Sequence, residues 1–316
     1  MKNIPSIDLA DFLSNNPSEK EKFVQQIGKA YEEIGFVALK GHFLDDQLTE
    51  KLYKTVREFY NLPSNIKKKY EIEGLAGQRG YTSFGKESAK GKKEGDLKEF
   101  WHFGQEVIDD SELTTIYPKN IQVTEIKNFN EIGMETFRML EKTAIYVLRA
   151  LALYIGLEEY YFDQYVVNGN SILRPIHYPP IVGETKGAVR AAEHGDINLI
   201  TLLMGASASG LEVQNKQGDW IPVTALPEQL VINVGDMLQR LTNNKLRSTI
   251  HRVVNPEEKD WGKSRYSIPF FTHPGGNMQL NCLSECVTKN NPKSYDDITA
   301  GEYLKERLVE LGLLKN

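Results

Sequence analysis

Cysteine is nearly absent: Cys282 and Cys286 are the only two. A disulfide framework of the kind that holds small secreted scaffolds together is therefore excluded. Long apolar runs are missing as well. The longest, Ala144 to Leu157, has 14 residues and is interrupted by Arg149, whereas a membrane span needs about twenty. The opening MKNIPSIDLADFL places acids and a proline where a secretory leader needs an apolar stretch. A soluble cytoplasmic protein with no membrane partner is expected. There is no excess of positive charge: 38 basic against 43 acidic side chains leave −5. Such a surface repels phosphate backbones, so nucleic acid is not expected as a partner. Internal repeats and low-complexity tracts are absent too. Gly77-Gln78-Arg79-Gly80-Tyr81 is glycine-rich but lacks the following Lys-Ser or Lys-Thr of a phosphate cradle, and reads as a loop. What remains, 40% apolar and 26% charged residues over 316 positions, describes one large or two ordinary globular domains.

The first half reads mainly helical. Ser18 and Glu21 have capping-box spacing, and Phe23, Ile27, Ala30, Tyr31 and Ile34 follow at helical intervals up to Gly35. Short strands are expected at Pro5–Leu9 and Phe36–Leu39, and a second helix from Asp45 to Leu62, before Pro63. Lys67-Lys68-Lys69 reads as a solvated face. Residues 74–98 read as a loop placed to cover a site. The strongest helix lies between Val123 and Gly156, with an apolar stripe through Met134, Phe137, Leu140, Ala144, Leu148, Leu151 and Ile155. From Ser171 short apolar runs alternate with Gly, Pro, Asn and Asp. These predict strands at Ile172–Tyr178, Val189–Glu193, Leu199–Met204, Glu212–Gln214, Asp219–Val223, Leu230–Asn233, Arg247–Val254, Ser264–Thr272 and Gln279–Leu283. A last helix starts at Thr299 and runs to Leu311, packing in cis or on a second copy. The pattern predicts an α+β protein. Residues 1–120 form a mainly helical region packed on the core. Residues 121–316 add the long helix, an antiparallel sandwich or barrel and the C-terminal helix as one unit.

Among the six histidines, His194 alone has an acid at strand spacing, Asp196. On a strand, i and i+2 side chains project from one face, so the pair offers two converging ligands. His251, 55 residues beyond Asp196 in the β-branched run Ser248–Val254, can be returned to them by strand pairing. Two imidazoles and a carboxylate with open positions suit non-haem Fe(II). Arg265 and Ser267, 14 and 16 residues past His251, again share a strand face and make a carboxylate clamp. Asn198 lies two residues past Asp196 and is expected to orient a ligand or the co-substrate. Phe103 and Phe271 are expected to shape a substrate pocket. His102 and His177 read as structural hydrogen-bonding residues, and the cysteines as buried or free thiols.

The series H-x-D, His251 and R-x-S resembles the iron- and 2-oxoglutarate-dependent dioxygenases of the isopenicillin N synthase-like group. Tyr178-Pro179-Pro180, Gly210–Gln214, Asn233-Val234-Gly235-Asp236, Ile4–Asp8, Gly35-Phe36 and Asp96–His102 are also similar to that family, so the likeness spans about residues 4–310. It implies a double-stranded β-helix (jelly-roll) core covered by helices. It implies Fe(II) on His194, Asp196 and His251. The distal carboxylate of 2-oxoglutarate would lie on Arg265 and Ser267, with Tyr178 donating to it. It further implies dioxygen as co-substrate, ascorbate as a candidate reductant, and hydroxylation, desaturation or cyclisation of a small molecule with release of succinate and CO2. One position departs: where the family often has Asn two residues before the tyrosine, this chain has Ile176. Two alternatives stay open: an iron oxidase that uses the R-x-S pair for its own substrate's carboxylate and consumes no keto acid, and a non-catalytic binding module on the same scaffold.

Overall fold

The computed structural model describes residues 4–75, 77–86, 96–108, 112–182, 189–205 and 210–310. Strand β1 (Ser6–Asp8) leads into the short helix α1 (Leu9–Leu13), capped by the Asp8 carboxylate. Helix α2 (Pro17–Glu33) starts two residues earlier than its Ser-x-x-Glu box implies. Asn16 is the cap and accepts from the Ser18 amide, because Pro17 already occupies the first turn. Then come β2 (Phe36–Lys40), α3 (Asp46–Tyr60), α4 (Ser64–Lys67), β3 (Gly80–Thr82), β4 (Glu99–Gly104) and the long α5 (Phe129–Ile155). After α6 (Asp163–Val166) the strands crowd together: β5 (Ile172–Leu173), β6 (Ile176–Tyr178), β7 (Ala191–His194), β8 (Ile200–Met204), β9 (Leu211–Gln214), β10 (Trp220–Pro222) and β11 (Leu230–Val234). The chain closes with α7 (Asp236–Leu241), β12 (His251–Val253), β13 (Arg265–Thr272) and α8 (Ala300–Glu310).

The larger sheet runs β1-β2-β11-β8-β13-β5-β4-β3, with β6 pairing both β13 and β4; the smaller runs β10-β9-β12-β7. All pairings are antiparallel except β1 with β2. The two-residue period of each strand sorts its side chains. On β11, Leu230, Ile232 and Val234 point to the helices. Val231 points inward, to a second core with Phe36 from β2 and Leu211, Val213 and Val253 from the smaller sheet. On β8, Ile200, Leu202 and Met204 face the helices. The helical layer is α2, α3 and α5, with Phe23, Ile27, Phe59, Phe137 and Leu148 buried against the sheet. The architecture is a jelly-roll β core with a helical cover, and the α+β expectation holds.

Four details differ from the sequence reading. Gly80–Thr82, taken for loop, is strand β3, and Glu99–Gly104 is the unforeseen strand β4. In the run expected as a ninth core strand, Gln279 makes only an isolated bridge to Thr299. The Lys67–Lys69 run is not uniformly solvated. Lys67 is buried, its ammonium 2.7 Å from Glu99 Oε2 and donating also to the Tyr60 carbonyl, and a paired charge can be buried where an unpaired one cannot. Of the segment expected to cover a site, residues 76 and 87–95 lie outside the described residues, as does Leu311 at the end of the last helix. Tyr303 and Leu304 of α8 pack against the chain's own core, so this helix docks in cis. Among the described residues no helix is long and apolar enough to cross a membrane.

Candidate active site

β7 ends at His194, and β12 begins at His251 directly across from it. Their rings lie 4.4 Å apart at 51°. Asp196 lies beyond the strand end, in the connection to β8, so the H-x-D pair does not converge through a shared strand face as expected. The turn does this instead. Its shape is held by the Asp236 amide donating to the Asp196 carbonyl at 2.7 Å and by Gly235, where an added Cβ would fall 2.1 Å from the Asn198 carbonyl. The three residues place ligand atoms within 4.8 Å of one another, the one such group among the described residues. Asp196 Oδ1 is 3.8 Å from His251 Nε2.

The donor set fits a divalent iron. His194 Nδ1 donates to the Ala192 carbonyl (2.7 Å) and His251 Nδ1 to the Thr249 carbonyl (3.2 Å). Each ring thereby keeps the Nε2 lone pair for a metal. Burial, then the neighbouring His251, depresses the His194 pKa to about 4, so the ring is a neutral ligand at neutral pH. Burial alone would raise the Asp196 carboxyl. Both imidazoles and hydrogen bonds from Asn233 and Thr201 outweigh it and hold Asp196 below the usual range, ready as the anionic ligand. Oδ2 receives Thr201 Oγ1 at 2.6 Å and Asn233 Nδ2 at 2.8 Å. These two residues are register partners on β8 and β11. Sequence reasoning assigned neither a role; the one signal is a buried Asn inside the apolar run Leu230–Val234. Asn198 stands one step further back. It donates to the Ile200 carbonyl (2.6 Å) and to Thr201 Oγ1 (3.2 Å), reaching Asp196 only through Thr201. Of its two expected roles, these bonds fit the orienting of a metal ligand, through Thr201.

Arg265 and Tyr178 are register partners on β13 and β6, as are Ser267 and Ile176. The Arg265 guanidinium carbon lies 5.1 Å from the Tyr178 ring centre. Arg265 is 5% exposed, and its Nε and Nη1 have no hydrogen-bond partner. A buried guanidinium without an acid is costly unless an anion arrives, which fits a dicarboxylic co-substrate. Ile176 packs with Phe100 and Tyr178. Its place in that apolar patch accounts for the departure from asparagine.

The remaining expectations divide. Phe271 lies on the Arg265–Ser267 side of β13, its ring 5.0 Å from the Arg174 guanidinium, which also stacks on Phe100 at 4.4 Å. Arg174 Nε donates to His102 Nε2. Phe103 points the other way, into the helical core against Phe129, Trp101 and Gly133. Alternation along β4 puts it opposite His102, so it does not shape the pocket. His177 is structural as expected, joining Glu99 (2.8 Å) to Ser264 Oγ (3.0 Å). Cys286 is buried, Cys282 partly so, and both are free thiols.

A jelly roll with two histidines and an aspartate around one point and a buried arginine without an acid partner defines a non-haem iron oxygenase. Residues 4–125 match the model for the non-haem dioxygenase in morphine synthesis N-terminal region, and residues 167–274 the 2OG-Fe(II) oxygenase superfamily. A 2-oxoglutarate-Fe(II) type oxidoreductase of Metarhizium majus is 31% identical, covering 98% of this chain and 95% of its own length. A 2OG-Fe(II) oxygenase family protein of Caulobacter crescentus has TM-score 0.88 at 40% identity, over 98% of this chain and 99% of that one. A full-length Neurospora crassa protein solved with alpha-KG and thymine has TM-score 0.85 at 29% identity, over 97% and 96%. The chain belongs to the iron- and 2-oxoglutarate-dependent oxygenases, in the isopenicillin N synthase-like group. It is a dioxygenase that depends on Fe(II) and 2-oxoglutarate, which decides against the keto-acid-independent oxidase and the inert binding module.

Proposed function

We propose that His194, Asp196 and His251 hold Fe(II), that Arg265 and Ser267 with Tyr178 receive the distal carboxylate of 2-oxoglutarate, and that the reaction modifies a small polar molecule in the cytoplasm. The observation that carries the reading is the convergence of three ligand atoms within 4.8 Å, together with a buried Arg265 whose Nε and Nη1 have no partner. Bound iron supplies dioxygen activation, coupled to loss of CO2 from the keto acid to give succinate. The chain's own part is positional. Asn233 and Thr201 fix which Asp196 oxygen turns to the metal. The Ala192 and Thr249 carbonyls fix the imidazole tautomers. The inward apolar residues Phe36, Val213 and Val253 keep the floor of the site dry.

The substrate side is formed by Arg174, His102, Phe271 and His273. Burial depresses the His273 pKa to about 4, so this ring is neutral and adds no charge. A guanidinium lying between Phe100 and Phe271 suits a flat molecule that presents hydrogen-bond acceptors. The thymine bound by the Neurospora crassa neighbour makes pyrimidine bases the first candidates, followed by small carboxylic acids. The test is succinate production by protein supplied with Fe(II), 2-oxoglutarate, oxygen and each candidate in turn. The expected result is substrate-dependent succinate that disappears in Asp196→Ala. Oxygen uptake with no succinate from any candidate would contradict the reading.

A further inference from the structure

Arg190 has no part in the metal site, yet it is as buried as Arg265, at 4% exposure against 5%. It precedes β7, four residues before His194. Its guanidinium carbon lies 5.8 Å from the Tyr178 ring centre, and that of Arg265 lies 5.1 Å from the same ring. One of its nitrogens is anchored: Nη2 donates to the Lys263 carbonyl at 3.3 Å, two residues before Arg265 on the chain. Its Nε is buried without a partner. Among the described residues no carboxylate pairs with either guanidinium. Burial and then the Arg265 charge lower the Arg190 pKa, with only the Tyr178 phenol acting against them.

Two like charges sharing one aromatic ring, both buried and neither neutralised, repel each other and pay desolvation without return. An anion between them reverses that balance. A carboxylate has two oxygens and about four acceptor sites. One forked guanidinium uses half of them, and a second donor can take the rest. The anchoring bond to Lys263 holds Arg190 in place before any ligand arrives, so little side-chain entropy is lost on binding.

We propose that Arg190 is a second carboxylate-binding group of the co-substrate pocket, donating together with Arg265 to the distal carboxylate of 2-oxoglutarate. This rests on the placement of 2-oxoglutarate at Arg265 proposed above. Arg190 is then a specificity residue. It favours keto acids that carry a second carboxylate over those that do not, and it ties co-substrate binding to the strand that ends in His194.

The test is anaerobic titration calorimetry of Fe(II)-loaded protein with 2-oxoglutarate and with 2-oxobutyrate, which has the same keto-acid head but no distal carboxylate. Arg190→Gln should weaken 2-oxoglutarate by about 10- to 100-fold and leave 2-oxobutyrate unchanged. Arg190→Lys, which keeps the charge and serves if the glutamine variant does not fold, should weaken 2-oxoglutarate several-fold and again spare the monoacid. Equal weakening of both keto acids would show that Arg190 only supports the strand, and no change in either would show that it faces no ligand; both overturn the proposal. Arg265→Ala run beside them separates the two ideas. If it leaves 2-oxoglutarate affinity intact, the co-substrate placement itself fails, and the role of Arg190 falls with it.

Discussion

Asp196 shows how one side chain is divided between two tasks. Oδ1 faces His251, while Oδ2 is occupied by Thr201 and Asn233. Without those donors the carboxylate is free to rotate, and part of the metal's binding energy would go into ordering it. Asn233→Ala should therefore lower Fe(II) affinity by about 10- to 100-fold, with Asn198→Ala, one bond further away, giving a smaller loss. Equilibrium titration with Fe(II) checks this; unchanged affinity in Asn233→Ala would contradict it. The His194–Asp196 pair was legible in the sequence because it is a short local pattern, and His251 because it sits in a β-branched run that strand pairing can return to it. Thr201, Asn233 and Arg190 were not, because only strand register and the closing of the two sheets bring them to Asp196 and Tyr178. Lys67 was misread for a related reason. Its partner Glu99 is 32 positions away, and nothing in a lysine run distinguishes the member that finds a buried acid.

At the scale of elements, α5 was clear from its stripe because a long helix against a sheet repeats its signal over many turns. β4 was hidden: Glu99 to Gly104 are all buried and show no apolar–polar alternation. Its polar members are satisfied by distant partners, Glu99 by Lys67, Tyr81 and His177. The connection between β7 and β8 was legible in composition but not in shape, so the reading found the right ligands with the wrong local geometry. α5 also carries a titration of its own. Burial raises the Glu141 carboxyl to about 7, and its Oε1 has no partner. The native state thus prefers the protonated form. Its contribution to stability is complete below the ordinary value near 4.5 and is lost as pH rises through about 7. Over that window the loss is about 3 kcal/mol at most. Glu141→Gln should remove the slope, making the variant more stable than the parent at pH 8 and no more stable at pH 4.5. Denaturant unfolding at the two pH values measures this, and parallel pH profiles would contradict it.

At the scale of the molecule, the helical cover and the jelly roll meet at the metal. Phe36, at the start of β2, sets its ring edge-on to His251 at 5.7 Å, and the Thr249 hydroxyl donates to the Ile34 carbonyl at the end of α2. The first forty residues thus buttress a ligand more than two hundred positions away, and their strands β1 and β2 join the larger sheet through β11. The proposed iron site and the proposed carboxylate clamp depend on different residues. The most direct test is to titrate the parent protein, Asp196→Ala and Arg265→Ala with Fe(II) and then with 2-oxoglutarate under anaerobic conditions. Asp196→Ala should lose iron. Arg265→Ala should keep iron while its 2-oxoglutarate affinity falls by two to four decades, as expected for about 3–5 kcal/mol at a buried charged clamp. Equal loss of iron in both variants would contradict the division.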